Sequence, residues 1–282
     1  MPVTPYPNLI SESYLISEAV SLLRSFGGHA SAVSIVDFVM KIRRPDPNLA
    51  RLLVEDLING DPRLRLNGDM VELSGDAYEK LELADTGFVV FDLETTGTKT
   101  PPSRITEIGA YRVRNGVVTE EFQSLINPEM PIPEFITQLT GISDEMVADA
   151  PRFCDVAHEV LEFVGDSVLV AHNSAFDMRF LNHEISRVYG GYRLANPCLC
   201  TVKLSRRLLP DVENHKLKTL ASHYSIDLVN HHRAAADAHA TAHIFVNLLG
   251  KLSDDGVSDL ASVRTMSSRN YRHARRTNDA RR

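Results

Sequence analysis

The stretch that most constrains the fold is FVVFDLETTGT, from Phe88 to Thr98. Its unbroken apolar start predicts a β-strand that is buried on both faces. Asp92 and Glu94 stand two residues apart in it, and alternation along a strand places their side chains on one face. Neighbouring carboxylates in an apolar setting repel each other unless a cation neutralises them. Oxygen donors without a thiol favour Mg²⁺ or Mn²⁺, and a strand end at which both acids meet water is the simpler alternative.

The N-terminal part, residues 1–80, shows three helical patterns followed by two alternating strands around Asn67-Gly68, which is a hairpin signal. Three helices followed by a hairpin resemble a winged helix-turn-helix, a module that binds DNA in some proteins and other proteins elsewhere. This part carries 8 basic and 11 acidic side chains. That balance favours an adaptor for a protein partner, and a weak DNA contact is the alternative.

A larger α/β part follows at residues 86–250. After the opening strand come two strands around Asn115-Gly116, a helix, the strand in DSVLVAHN and another helix. Further helices are predicted at about 201–209, 217–223 and 234–249. This order predicts a mixed sheet flanked by helices.

Two more acids lie where they could join the first pair. VLVAHNSAFDMRFL places Asp177 at the start of a helix, directly after a buried strand. HHRAAADAHATAHIF places His232 five residues before Asp237, on a helix whose many alanines permit a close approach to the sheet. A histidine beside such a cluster can accept a proton from water near neutral pH.

The segments FDLETTG, HNSAFD and HRAAAD match, in order, the three motifs of the DnaQ-like 3′–5′ exonucleases of the DEDDh type. This family includes the proofreading epsilon subunit of bacterial DNA polymerase III, and the resemblance covers about residues 86–250. It implies an RNase H-like fold with a five-stranded mixed sheet, and phosphodiester hydrolysis by two Mg²⁺ ions, with Mn²⁺ as a substitute. The resemblance makes four acids the metal ligands and one histidine the general base; these catalytic residues are Asp92, Glu94, Asp177, Asp237 and His232.

The resemblance also implies finer roles. Thr95, Thr96 and Gly97 would line the terminal nucleotide, although these three residues could simply turn the chain. Asn173 would fix the loop that holds Asp177.

Other polar residues near the motifs leave alternatives open. His231 is the nearest rival to His232 as the base. Glu107 is either an acid that supports the site or part of a strand salt bridge. His239 and His243 read as surface or core residues of the last helix.

Composition narrows the setting. No apolar run approaches the length of a membrane span, and the segment MPVTPYPNLISESYL has neither the basic start nor the apolar core of a secretion signal. Three cysteines, too few for a disulfide framework, fit a reducing cytoplasm.

Residues 251–282 are predicted to be a flexible basic tail. Seven arginines and one acid lie between Arg264 and Arg282, in a chain of net charge −7, so this end either holds phosphate backbones or is a solvated end.

The leading hypothesis is an exonuclease that releases nucleoside 5′-monophosphates from single-stranded or frayed DNA 3′ ends, in proofreading or repair. RNA or short oligoribonucleotides are the alternative substrates. A non-catalytic nucleic-acid-binding adaptor is the alternative from another class. A protein partner for the N-terminal part is expected, no membrane is, and the sequence does not define the oligomeric state.

Overall fold

The computed structural model describes residues 6–74, 81–229 and 231–267. In chain order, the elements of this part of the protein are β1 (Leu9–Ser11), α1 (Tyr14–Ser25), β2 (His29–Ser31), α2 (Ala32–Phe38), α3 (Pro47–Ile58), β3 (Leu64–Asn67), β4 (Met70–Leu73), β5 (Phe88–Thr95), β6 (Ile105–Arg114), β7 (Val117–Leu125), α4 (Glu134–Thr140), α5 (Asp144–Val147), α6 (Phe153–Val164), β8 (Val168–Ala171), α7 (Ser174–Val188), β9 (Tyr192–Leu194), β10 (Cys198–Cys200), α8 (Thr201–Leu208), α9 (Leu217–His223), α10 (Ala234–Asp254) and α11 (Leu260–Met266).

The described residues divide into two compact units. The first contains residues 6–74 and 185–195, and the second contains residues 81–184 and 196–267 apart from residue 230. The sequence predicted a boundary near residue 80 but gave no signal that residues 185–195 pack with the first unit.

The first unit has its own core. Helices α1, α2 and α3 and strands β3 and β4 lie where the sequence predicted three helices and a hairpin. Strand β2 adds to the hairpin to give a three-stranded antiparallel sheet in the order β2-β4-β3. Apolar side chains from all three helices and the sheet form one buried cluster that includes Ile16, Leu23, Ile35, Val54 and Val71.

The second unit is built on the predicted five-stranded mixed sheet, in the order β10-β8-β5-β6-β7. Strand β5 lies at its centre, parallel to β8 and antiparallel to β6. The fifth strand, β10, is a three-residue segment that the sequence analysis did not identify as a strand, since it is too short to show alternation. The mixed-sheet prediction is confirmed.

Strand β5 is buried on both faces, as its apolar run predicts. Phe88 and Val90 pack in the cluster that also contains Phe245 and Leu248 of α10, and the rings of Phe88 and Phe245 lie 4.9 Å apart. Because side chains alternate, Asp92 and Glu94 continue along this same face. The two acids therefore lie on the side of the sheet that α10 covers.

A glycine lets α10 approach the sheet. Gly109 of β6 is the register partner of Asp92. A Cβ at Gly109 would lie 2.3 Å from the backbone nitrogen of Ala235, in the first turn of α10. Only a glycine allows the helix to start this close to the acids on β5.

The C-terminal end differs from its prediction. Helix α10 continues past residue 250 to Asp254, and α11 follows with Leu260 and Val263 fully buried. Part of the predicted flexible tail is thus a folded piece of the second unit. Residues 268–282, which hold most of the tail's arginines, lie outside the described residues. No helix in the described part of the chain is long and apolar enough to cross a membrane.

Candidate active site

Three acids meet at the centre of the sheet. Carboxylate oxygens of Asp92, Glu94 and Asp237 lie within 4.8 Å of one another, a spacing that one ion could bridge. Asp92 and Glu94 come from β5 and are partly exposed, whereas Asp237 lies in the first turn of α10 and is buried. The structure therefore brings together acids that are 145 residues apart in the chain.

The fourth predicted acid, Asp177, lies in the first turn of α7 and is only 3% exposed. Its charge is close enough to raise the pKa of Asp92, although it lies outside the group of three. Burial raises the pKa of Asp177 to about 7, and hydrogen bonds with its own backbone and that of Leu93 oppose the rise. Asp177 thus lies near Asp92 but outside the group of three acids whose oxygens are within 4.8 Å of one another.

The cluster is electrostatically unfavourable as a set of bare anions. Burial raises the pKa of Asp92 well above its usual range, and the charges of Asp177 and Glu94 raise it further. Burial also raises the pKa of Glu94 to about 8, followed by the charges of Asp237 and Glu107. Glu94, with a pKa of about 8, retains its proton at neutral pH. The cluster therefore fits a divalent cation, which would displace that proton and neutralise the charges.

Glu107 is fully buried behind the cluster, directly across from Glu94 in the register of β5 and β6. Its carboxylate accepts two hydrogen bonds from Arg233, at 2.8 and 3.1 Å, and one from the backbone amide of Ala234, at 2.9 Å. Gln123 of β7 donates a fourth at 3.0 Å. Glu107 therefore forms an ion pair, as one alternative predicted, but its partner Arg233 precedes α10 and is not on a strand. Glu107 also caps the start of α10, the turn that carries Asp237, which agrees with the alternative of an acid that supports the site.

Both histidines before α10 contact the site. Nδ1 of His231 lies 2.8 and 2.9 Å from the two carboxylate oxygens of Asp237, and the backbone amide of His232 donates to the same carboxylate at 3.2 Å. The two imidazole rings stack with centroids 4.0 Å apart. Burial, followed by the charge of His231, lowers the pKa of His232, which keeps its ring neutral at physiological pH.

The left-handed backbone of His232, with a φ of 68°, turns the chain between the two rings. Such a conformation costs a non-glycine residue about 1 kcal/mol or more. In this turn the His231 side chain contacts the oxygens of Asp237, and a ring nitrogen of His232 lies within 4.8 Å of both a His231 nitrogen and an Asp237 oxygen. His231 is the second candidate for the base by sequence, and no pattern in the sequence predicts its contact with an acid of the cluster.

The predicted nucleotide-binding residues follow directly after β5. The hydroxyl of Thr95 donates to the carbonyl of Gly97 at 2.7 Å, and the hydroxyl of Thr96 accepts from the backbone amide of Arg104 at 3.0 Å. A Cβ at Gly97 would lie 2.6 Å from Oγ of Ser103. The threonine side chains thus hold the turn in place, and their role at a nucleotide stays a prediction.

Asn173 lies before α7 with a left-handed φ of 76°, and its carbonyl accepts from the amide of Phe176 at 2.9 Å. This is the turn that leads into the helix of Asp177. Its location agrees with the expected role, which stays a prediction.

Two supporting residues were missed by the sequence analysis. Gly109 carried a usable signal, since an isolated glycine inside a strand pattern indicates close approach of another backbone. Arg233 carried none, because its partner Glu107 lies 126 residues away.

Four acids come together here, two from a central strand and two from the first turns of two helices. This arrangement is typical of one class of proteins, the nucleases of RNase H-like fold. A family model described as Exonuclease matches residues 89–245, more than half of the chain. The chain belongs to this exonuclease family.

Relatives agree with this assignment. The chain is 38% identical over 185 residues to the DNA polymerase III subunit epsilon of Aquifex aeolicus, covering 65% of this chain and 91% of that subunit. It is 42% identical over 179 residues to a DNA polymerase III PolC-type of Caldanaerobacter subterraneus, covering 64% of this chain. The match spans only 13% of the PolC-type protein's own length.

Solved structures show the same fold. Exonuclease X in complex with 5′ overhanging duplex DNA superimposes with a TM-score of 0.52 at 25% identity, covering 64% of this chain and 99% of that one. Exonuclease I superimposes with a TM-score of 0.52 at 18% identity, covering 61% of this chain. At 18% identity, the similarity to exonuclease I concerns the fold alone.

Proposed function

We propose that this protein is a 3′–5′ exonuclease that removes nucleoside 5′-monophosphates from DNA 3′ ends, preferably single-stranded or frayed ones. The observation that carries the proposal is the convergence of Asp92, Glu94 and Asp237, with Asp177 beside them. The similarity to an epsilon subunit over most of that subunit's length supports DNA as the substrate and proofreading or repair as the setting.

Two Mg²⁺ ions, replaceable by Mn²⁺, fit the donor set because every ligand is a carboxylate oxygen. Asp92 would contribute to both sites, Glu94 and Asp237 would complete the first, and Asp177 would hold the second. When bound, such ions stabilise the negative charge that develops on the attacking and leaving oxygens.

The protein's own groups position the reaction. Strand β5 and the capped start of α10 hold three ligands on rigid backbone. His232 is neutral near pH 7 because its pKa is lowered, so it accepts the proton of the attacking water. His231 contacts both oxygens of Asp237 through Nδ1. A carboxylate oxygen that accepts such a bond keeps a lone pair for an ion, so His231 would orient this ligand.

The first unit resembles a winged helix in its element order, and we propose that it docks a protein partner. Acidic side chains outnumber basic ones in residues 1–80, which disfavours a strong contact with phosphate backbones. The reducing cytoplasm is the proposed compartment, consistent with the three free cysteines.

The deciding experiment is degradation of 5′-labelled oligonucleotides in Mg²⁺, Mn²⁺ or EDTA. The substrates are single-stranded DNA, matched duplex, duplex with a 3′ mismatch, and single-stranded RNA of the same sequence. A metal-dependent ladder that shortens from the 3′ end is expected, faster on single-stranded and mismatched DNA. A faster ladder on RNA would reassign the substrate.

Matched variants tie the ladder to the site. Asp92→Asn preserves shape and removes the central charge, and it is expected to abolish degradation. Asp166→Asn makes the same change at an exposed position between α6 and β8, and it is expected to have no effect. Full activity in Asp92→Asn would refute the proposal, and binding without cleavage by the wild type in both metals would favour the adaptor.

A further inference from the structure

A pair of histidines lies on the exposed face of α10. His239 and His243 are four residues apart, so they are neighbours on the helix surface. Two residues along a helix correspond to a rotation of about 200°, so His239 faces away from the side that carries Asp237. Asp237 is accordingly buried and His239 exposed. The histidine pair is therefore spatially distinct from the acidic cluster.

The two imidazoles are arranged like a chelate. Their Nε2 atoms lie 3.2 Å apart, with ring centroids at 4.5 Å and planes inclined by 68°. Two nitrogens at this distance cannot both carry a proton, so at least one lone pair points into the gap. With metal–nitrogen bonds of about 2.05 Å, a separation of 3.2 Å corresponds to an angle of about 103° at the metal, close to tetrahedral.

Carboxylates lie in the same cavity as the pair. The histidines line an open cavity of about 720 Å³ together with the carboxylates Glu121 and Asp227. Glu121 is hydrogen-bonded to the hydroxyl of Tyr111, whose ring packs edge-on against His239 at 5.1 Å. Burial lowers the pKa of His243, which favours the neutral ring that a metal requires.

We propose that His239 and His243 form a second metal site, selective for a divalent transition ion that prefers imidazole nitrogen, with Zn²⁺ the best match to the geometry. Water completes the coordination, because in the described residues no third His, Cys, Asp or Glu ligand atom lies within 4.8 Å of both rings. Nitrogen donors discriminate against Mg²⁺, so this site and the acidic cluster select different ions. Neither the exonuclease family match nor the acidic cluster assigns any ligand to these two residues.

The test is Zn²⁺ titration of the full chain by calorimetry in excess Mg²⁺, which occupies the carboxylate sites. Because His231, His232 and Asp237 also form a nitrogen-containing cluster, the titration uses a His231→Asn/His232→Asn background. One equivalent of Zn²⁺ is expected to bind in this background. Either His239→Asn or His243→Asn should weaken that binding at least tenfold, and the double replacement should abolish it.

Two controls separate the site from general binding. His158→Asn removes an exposed imidazole on α6 and should leave the Zn²⁺ equivalent intact. Co²⁺ in place of Zn²⁺ should give the intense visible absorption of a tetrahedral ion, and His243→Asn should remove it. Unchanged Zn²⁺ affinity in His239→Asn and His243→Asn would show that the two rings only hydrogen-bond to each other and would overturn the proposal. The readout is binding, so this result is independent of whether the protein cleaves nucleic acid.

Discussion

Replacing Glu94 by glutamine tests how strongly the acidic cluster opposes folding in the absence of divalent ions. The pKa of Glu94 is about 8 in the folded protein, against 4.5 for an exposed glutamate. Between these two pH values the folded state holds a proton that the unfolded state has released. The free energy of unfolding must therefore fall as the pH rises through this window.

The size of the effect follows from the shift. Each pH unit removes about 1.4 kcal/mol for one such group, so the full window removes about 5 kcal/mol. Glutamine does not titrate, so the variant does not lose this free energy of unfolding as the pH rises. Glu94→Gln should therefore gain up to about 5 kcal/mol on the wild type between pH 4.5 and 8, with the largest gain at the alkaline end.

The assay is urea denaturation in EDTA at several pH values between 5 and 8.5, followed by circular dichroism. Glu162→Gln, an exposed acid of α6, is the matched control and should run parallel to the wild type. At alkaline pH, added Mg²⁺ should raise the free energy of unfolding of the wild type far more than that of Glu94→Gln, because the variant lacks one metal ligand. Parallel pH curves for Glu94→Gln and the wild type would refute the electrostatic account of the cluster.

Three further predictions concern catalysis and binding. His232→Ala should lower the cleavage rate by about 10²–10⁴-fold, whereas His231→Ala should retain most of it; single-turnover rates check this, and the reverse ranking would move the base to His231. Gly109→Ala forces α10 away from the sheet and should cost about 100-fold in cleavage rate, while Gly250→Ala, with open space around its Cβ, should cost none; a fully active Gly109→Ala would contradict the close-approach argument. Truncation after residue 267 should weaken binding of single-stranded DNA more in low salt than in high salt, measured by fluorescence anisotropy, and equal affinity in low salt would exclude a role for residues 268–282.

Much of the second unit could be predicted from the sequence because its signals are local. The apolar run of β5 and the Asn115-Gly116 hairpin each specify an element within about ten residues. Three acidic motifs in order then indicated which elements converge. The fold around β5 and the identities of the clustered acids follow from these patterns.

The remaining features depend on contacts that no local pattern encodes. Strand β10 exists because Cys198–Cys200 pairs with β8, and three residues are too few to reveal a strand beforehand. Helix α11 follows a polar segment and belongs to the stretch 251–282, whose many arginines led to the prediction of a flexible tail. The contact of His231 with Asp237 depends on the left-handed turn at His232, which is a tertiary outcome.

The charge balance of the site depends on the Glu107–Arg233 pair as well as on the four acids that would bind metal. Glu107 adds a fifth carboxylate to the neighbourhood, and its charge raises the pKa of both Asp92 and Glu94. Arg233 offsets it with two hydrogen bonds and also lowers the pKa of Glu94. The net charge of this neighbourhood is then about −4 with every acid ionised, which matches the charge of two divalent ions. The Glu107–Arg233 pair thus fixes the start of α10 without disturbing that balance. A neutral residue at position 107 would leave Arg233 unpaired beside the ligands, where it would compete with a cation for Glu94.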